Sequence, residues 1–556
     1  MSDIYSQLLS SCEHDLGRKT PSSMPNPSEL SREDFAKDYF LYNLLRKLEP
    51  FEEKSEVPSD VVRRSLEKFA DSEWRCLVMN RHGRFYSELR ETDTAFFLEA
   101  LRLARSWISN VMMDQWPRWE DARYTSGASS TTARKQSMSY LKWAGHAQGG
   151  KMSTTRAALS AVTHLIAPEF GPSWAYARVS IRNHSRFDFV QKTEKNVRFM
   201  ACENEYNMLA QKCVGDCIRS ALLLAGVDLN DQSTNQTSSR WASIMRNQGT
   251  IDLSNASDNV ALWHCRRLLP KNLLNWVLAL RTPETSVNRK FIHRLQKTAT
   301  MGNGFIFELQ SLIYAGLAYA VTRLTPGGRE SDISVYGDDI IVSTPVVEPF
   351  LQLLEWLGME PNWEKSFWGD TPFRESCGSH WFDGWDVTPF YVKGSLEYKR
   401  NLYRAVNGLR YWEQRTGFGL PSAIRMLVDR IPRKQRYVVP NTWSIVSGLH
   451  FPERGCTFPR RYISHGDTVY RQRAYIEKHI DIRERLDDEV LYRDWLANPP
   501  EELIPASIWQ KLERKLWPKL VTHGLPRERK AYSSVWDRAS GSMLWAEREF
   551  RLGDAL

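Results

Sequence analysis

Apolar residues recur every three or four positions along much of the first part of the chain. DFAKDYFLYNLLRKL (34–48), DVVRRSLEKFA (60–70) and TAFFLEALRLARSWISNVM (94–112) all carry this period, which places their apolar side chains on one helical face. Ahead of them, RKTPSSMPNPSELSRE (18–33) is polar and rich in Pro and Ser, and reads as a loop or loosely held arm. Residues 124–157 are small, polar and basic, more loop than core. From 177 to 200 the pattern changes to strands with basic insertions, and QKCVGDCIRSALLLAG (211–226) predicts a helix closed by Gly226.

Farther along, residues 250–253 read as a short strand and 258–269 as a helix. FELQSLIYAGLAYAVT (307–322) is apolar all round and predicts a buried helix. DISVYGDDIIVS (332–343) predicts a hairpin, because Gly-Asp between two runs of Val and Ile suits a tight turn. VEPFLQLLEWLG (347–358) is an amphipathic helix ended by Gly358, and the chain from about 400 onward reads as mainly helical, with Trp and Arg interleaved. The fold class that follows is α+β, with an antiparallel sheet backed by helices.

Composition narrows the class of partner. The 556 residues are too many for one core and imply several lobes. The formal net charge of +9 favours a polyanion. Nine Arg and Lys against two acids between Arg430 and Ile476 give that one segment +7, which points to contact with nucleic-acid phosphates. Eight cysteines in so long a chain make no disulfide framework, and Cys213 and Cys217, four apart, read as two positions on one helix face. MSDIYSQLLSSCEHDLG lacks the pattern of a signal peptide, and no run reaches the roughly 18 apolar residues of a membrane span. The expected setting is a reducing cytosol.

The adjacent acids Asp338 and Asp339 are the candidate chemistry. Asp is common in turns for its local hydrogen bonding, so the pair alone decides nothing. GTIDLSNASDNV (249–260) supplies a third acid, Asp252, at the end of a β-like run, with Ser254, Ser257 and Asp258 as candidate helix caps. Three clustered carboxylates are costly unless cations neutralise them. Such a donor set suits Mg²⁺, and two such ions are the apparatus for in-line displacement at phosphorus. Strand alternation makes Asp252 and Asp338 the principal metal ligands and Asp339 a less central one.

Six strings in this order carry a resemblance: LNDQSTNQ (229–236), IDLSNASD (251–258), MGNGFIFELQS (301–311), YGDD (336–339), PFRESCGSH (372–380) and DVTPFY (386–391). The sequence resembles the RNA-directed RNA polymerases, or replicase catalytic beta subunits, of the single-stranded RNA bacteriophages of the levivirus family. The resemblance implies a right-hand polymerase. Residues 1–33 would be an N-terminal arm, 34–245 mainly fingers, 246–270 palm, 271–298 a fingers insertion, 299–400 palm again, and 401–556 thumb and C-terminal region. It implies two Mg²⁺ ions, with Mn²⁺ as a substitute, on Asp252, Asp338 and Asp339. The reaction implied is attack of an RNA 3′-hydroxyl on the α-phosphate of a ribonucleoside triphosphate.

By match to the family motifs, Gly302, Asn303 and Gly304 form a loop touching template and nucleotide, and Ser257, Asp258 and Asn303 face the ribose. Ile306 and Gln310 stand where the family has Thr and Glu. Lys192 and Arg198 match the basic finger motif and would bind the triphosphate, although Gln191, Val197 and Cys202 depart from it. Lys365 is the candidate general acid for the leaving pyrophosphate, while Arg374, Glu375 and His380 read as structural or near RNA. The partners implied are single-stranded template and product RNA, the host elongation factors Tu and Ts, and a small-subunit ribosomal protein, in the bacterial host's cytoplasm. Two other readings stay open: a non-catalytic RNA-binding protein with a polymerase fold, and a reverse transcriptase. GHAQGGKMS (145–153) nearly spells a P-loop, but Met152 replaces the Ser or Thr that would hold Mg²⁺.

Overall fold

The computed structural model describes residues 3–48, 57–85, 91–125, 127–132, 139, 142, 151–166, 178–288, 291–464, 467–476, 480–482, 531–533 and 544–551. At its centre lies a three-stranded antiparallel sheet in the order Gln248–Ile251, Asp339–Ser343, Ser334–Tyr336. The last two strands are the expected hairpin. Tyr336 pairs with Asp339, which leaves Gly337 and Asp338 as a two-residue loop. Gly337 takes φ +65°, the left-handed conformation this tight turn needs at its first position.

The helix Ile306–Leu324 packs behind this sheet. Nearly every side chain on it is buried, from Leu309 and Leu312 to Ala320 and Val321, as its apolar circumference requires. The helices Glu205–Leu224, Glu91–Val111 and Thr344–Trp356 join it in one large core. A second sheet runs Asn196–Cys202, His184–Thr193, Glu284–Asn288, Phe291–Arg294. The α+β expectation is borne out, as are helices at 34–48, 60–70, 94–112, 211–226, 307–322 and 347–358, although Ser59–His82 runs well past the 60–70 reading, Arg32–Asn43 stops short of 48 and Glu205–Leu224 starts before 211.

Four expectations are corrected. The helix read over 258–269 starts only at Leu262, after a single 3₁₀ turn at Ala256–Asn259. Asp258 does not cap it, because its carboxylate is drawn off by the buried ammonium of Lys297, and the ring of His264 accepts the Ala261 N–H instead. The loop read over 18–33 holds as far as residue 31, but the arm expected over 1–33 opens with a helix. Asp3–Leu16 is a helix whose Tyr5, Leu8 and Cys12 are buried against Lys399–Thr416 and Pro421–Asp429. Residues 124–157 are not all loop, since Lys151–Thr154 is a strand paired in parallel with Arg178–Ile181. A strand where a P-loop would begin its helix also removes that reading; residues 145–150 themselves lie outside the described residues.

Fourth, the described residues of the C-terminal part are not mainly helical, and the rest of that reading lies outside the described residues. After Pro421–Asp429 and one 3₁₀ turn, its described elements are strands: Arg460–Ser464, Asp467–Ile476, Ile480–Ile482, Ala531–Ser533 and Leu544–Arg551. The TVYRQRAYI and LWAEREFR runs group their polar residues, Arg471 to Arg473 and Glu547 to Glu549, so no period of two marks them as strands in the sequence. Within the basic segment, Arg436 is buried and spends its guanidinium on the carbonyls of Ile431 and Arg454, so not all of the +7 faces solvent.

His264 ties the helix Leu262–Leu268 to the end of Thr344–Trp356, with Nε2 2.9 Å from the Leu357 carbonyl. Burial pushes its pKa down to about 4. The unfolded chain takes up a proton near pH 6.5, whereas the native ring stays neutral until about 4. Stability is therefore full above about pH 6.5 and declines as pH falls towards 4, by at most about 3 kcal/mol. Denaturant melts across this window should show that decline in the native protein and lose most of it in His264→Gln; equal slopes would mean the ring is not buried neutral.

Candidate active site

A cavity of about 910 Å³ opens in front of the central sheet. Asp252 and Asp338 both line it, and they arrive from segments far apart in the chain. Ile251 pairs with Ile340 in the central sheet, while Leu253 pairs with Pro361 in a second small ladder. Asp252 thus stands at the switch between two sheets, with its carbonyl accepting the Asn362 N–H at 2.9 Å. The Asn362 side chain donates to Asp252 Oδ2 at 2.6 Å, which orients the carboxylate. Asp338 comes from the hairpin loop. Asp339 turns away, accepting the Cys377 N–H at 3.0 Å and the Ser376 hydroxyl at 3.3 Å.

These acids disturb one another. Burial, joined by the charges of Asp338 and Asp339, pushes the Asp252 carboxyl up to about 7, against the pull of Lys365 and Asn362. Burial also pushes Asp339 up to about 6, with Asp338 and Glu375 adding to it and the Cys377 N–H opposing. Lys365 Nζ lies 3.9 Å from Asp252 Oδ2 and 3.7 Å from Glu375 Oε1. Burial lowers its pKa, but Glu375 and the three aspartates outweigh that and leave it above the usual lysine range. Glu375 is backed by His380, whose Nε2 is 3.6 Å from it and whose Nδ1 is 2.8 Å from the Tyr39 hydroxyl. Arg374 is fully buried and donates to the carbonyls of Gln248, Gly369, Thr371 and Phe373, a structural role.

Among the described residues no three His, Cys, Asp or Glu side chains stand together as a ready-made metal group. The oxygen donors facing the cavity include Asp252, Asp338 and Gln310, whose buried Oε1 has no partner among the described residues. Hard oxygens in this number fit Mg²⁺, which keeps several waters and takes phosphate oxygens to complete its shell. A fixed all-protein cage is not required.

Of the other residues singled out from sequence, Lys192, Arg198, Ser257, Asp258 and Lys365 line the cavity. Gly302, Asn303 and Gly304 do not. A Cβ on Gly302, which has φ +102°, would stand 2.6 Å from the Ala201 carbonyl, and one on Gly304 would stand 2.9 Å from Gln211 Cβ. Asn303 donates to Glu203 at 3.3 Å and accepts the Phe305 N–H at 3.0 Å. These three press the loop against the chain's own strand and helix. Met301, Ile306 and Phe307 around them are the residues that reach the cavity.

The family model described as RNA replicase, beta-chain, matches residues 3–550. The chain belongs to that family. The RNA-directed RNA polymerase subunit beta of Escherichia virus Qbeta is 32% identical over 405 residues, 70% of this chain and 64% of that one. Its counterpart in Enterobacteria phage SP is 37% identical over 263 residues, 47% of this chain and 44% of its own. The beta chain of Enterobacteria phage GA is 30% identical over 391 residues, covering 68% and 71%. The matches to the SP and Qbeta proteins thus span 44% and 64% of those relatives' lengths. The solved structure of the BmCPV RNA-dependent RNA polymerase at elongation state overlaps 60% of this chain and 32% of its own, at 10% identity and a TM-score of 0.36. The resemblance carried by the motif strings is borne out.

In this replicase family member the cavity also holds groups that the motif reading missed. Lys68 and Arg75 reach it from the helix Ser59–His82. Seven residues apart, they stack two turns along one helix face, a spacing legible in SLEKFADSEWR. Asn362 carried no such signal, because its role depends on the pairing of Pro361 with Leu253.

Gly302→Ala places a methyl against the Ala201 carbonyl in a backbone conformation that alanine resists, and should cost more than about 1 kcal/mol of stability. A denaturant midpoint equal to that of the native protein would show that the loop yields.

Proposed function

We propose that this chain is an RNA-directed RNA polymerase that copies a single-stranded RNA phage genome. One observation carries the reading: Asp252 and Asp338, from two separate ladders, meet in one cavity that also gathers Lys68, Arg75, Lys192 and Arg198. Acids facing a ring of cations are what a nucleoside triphosphate with its metals requires. In this reading the surrounding folds are the palm, fingers and thumb of a right-hand polymerase, and the basic C-terminal segment contacts RNA backbone.

Asp252 and Asp338, with Asp339 behind them, would hold two Mg²⁺ ions. When bound, such ions lower the pKa of an attacking hydroxyl and offset charge on the triphosphate. The chain's own groups do the rest. Asn362 fixes one oxygen of Asp252. Lys192 and Arg198, both exposed in the cavity, grip the triphosphate. Ser257 and Asp258 face the sugar. The RNA 3′-hydroxyl attacks the α-phosphate and pyrophosphate leaves, protonated by Lys365, which Glu375 and the aspartates keep charged. Template and product RNA, the elongation factors Tu and Ts and a ribosomal protein complete the proposed partners, in the bacterial cytoplasm. No helix among the described residues is long and apolar enough to cross a membrane.

The test is incorporation of labelled ribonucleotides on single-stranded RNA with Mg²⁺, with and without host extract. Asp338→Asn should abolish it while RNA binding persists. RNA binding without incorporation by the native chain under every condition would instead support the non-catalytic reading. Arg198→Ala should raise the KM for nucleotide by roughly tenfold or more, the value of a charge-assisted hydrogen bond; an unchanged KM would remove Arg198 from the triphosphate site.

A further inference from the structure

Lys297 carries an ammonium with no exposure to water. Its Nζ lies 3.1 Å from Asp258 Oδ1, 3.6 Å from Glu73 Oε1 and 3.8 Å from the centroid of the Phe69 ring. A buried charge is costly unless it is closely paired, and this one is held between two acids and an aromatic face. Glu73 is fixed in turn. Its Oε2 lies 2.8 Å from His293 Nε2 and accepts the Gln296 N–H at 2.8 Å. The Cys76 thiol donates to the Asp258 carbonyl at 3.4 Å. One buried side chain thereby joins the helix Ser59–His82 to the turn that carries Asp258.

Asp258 is placed where this matters. It lines the main cavity and also a side cavity of about 170 Å³, whose walls include Lys68, Lys192 and Arg198. Lys297 occupies Oδ1 of Asp258. Oδ2 makes no hydrogen bond among the described residues, so it is the oxygen left for a ligand's hydroxyl. An acceptor lying between the metal-binding acids and the triphosphate-binding cations stands at the sugar of a bound nucleotide.

We propose that Lys297 is a positioning residue that aims Asp258 at the sugar hydroxyl and so sets the preference for ribose over deoxyribose. This rests on the polymerase reading above. A carboxylate free to rotate would accept the hydroxyl in fewer of its orientations. A site that loses its fixed acceptor discriminates less against the analogue lacking the hydroxyl.

The experiment compares incorporation of ribonucleotide and 2′-deoxyribonucleotide by the full chain on single-stranded RNA with host extract. Lys297→Met alone takes the shared cation from Asp258 and Glu73 and risks the fold. The double variant Lys297→Met with Glu73→Gln keeps the buried net charge of the cluster at its native value. It should still synthesise RNA, with its ribose preference reduced by about tenfold or more. Glu73→Gln alone keeps the Lys297–Asp258 pair and should keep the native preference. A double variant with native preference overturns the proposal while leaving the polymerase reading intact. A Glu73→Gln variant that loses preference as fully as the double overturns it too, because general loosening would then explain both. If the native chain incorporates neither nucleotide, the polymerase reading fails and this inference fails with it.

Discussion

The structure turns on buried acids whose burden the fold relieves only in part. Burial, joined by the charge of neighbouring acids, raises the affinity of Asp252 and Asp339 for protons. Nothing in an isolated hairpin or strand would hold them so. The backbone ladders do it, with Ile251 locked to Ile340 on one side and Leu253 to Pro361 on the other. The helix Ile306–Leu324 then supplies the apolar floor that keeps the sheet in place. The chain relieves the strain only in part, through Asn362, the Cys377 N–H and Lys365. What remains is a standing demand for cations, and the Lys and Arg side chains of the cavity wall answer only some of it.

The parts of this centre set by local chemistry were legible. A two-residue Gly-Asp loop between β-branched runs can do little but form a tight hairpin, and it does. The basic character of Lys192 and Arg198 and the capacity of Asp252 to end a strand were visible in the same way. What depends on distant partners was not. Asn362 matters because of its pairing with residues more than a hundred positions earlier. Asp258 looked like a helix cap until Lys297 claimed it. The glycines at 302 and 304 look like room for a ligand, whereas the strand and helix they touch are separate elements that no local reading brings beside them.

The same division holds at the scale of the fold. Strong three-to-four periodicity survived translation into structure almost everywhere, because each of those helices buries one face in a hydrophobic core. The C-terminal strands were missed because their polar residues stand in blocks, Arg471 to Arg473 and Glu547 to Glu549, which leave no period of two to read. The opening helix was missed for another reason. Its apolar residues are few, and its burial comes from helices near the other end of the chain.

That last contact has a consequence for how the protein is made. The Asp15 carboxylate caps the backbone of Ser422, across 407 positions of sequence. At about 5–20 residues per second on the ribosome, the first helix waits roughly 20–80 s for the surface it packs against to be synthesised. During that time Tyr5, Leu8 and Cys12 have no native partner on Lys399–Thr416 or Pro421–Asp429. The packing between the first helix and Pro421–Asp429 therefore forms only after residue 429 is made. Until then the first helix has only Phe40, Leu41 and their neighbours from its native cluster, and the rest of its buried face waits for the far end of the chain.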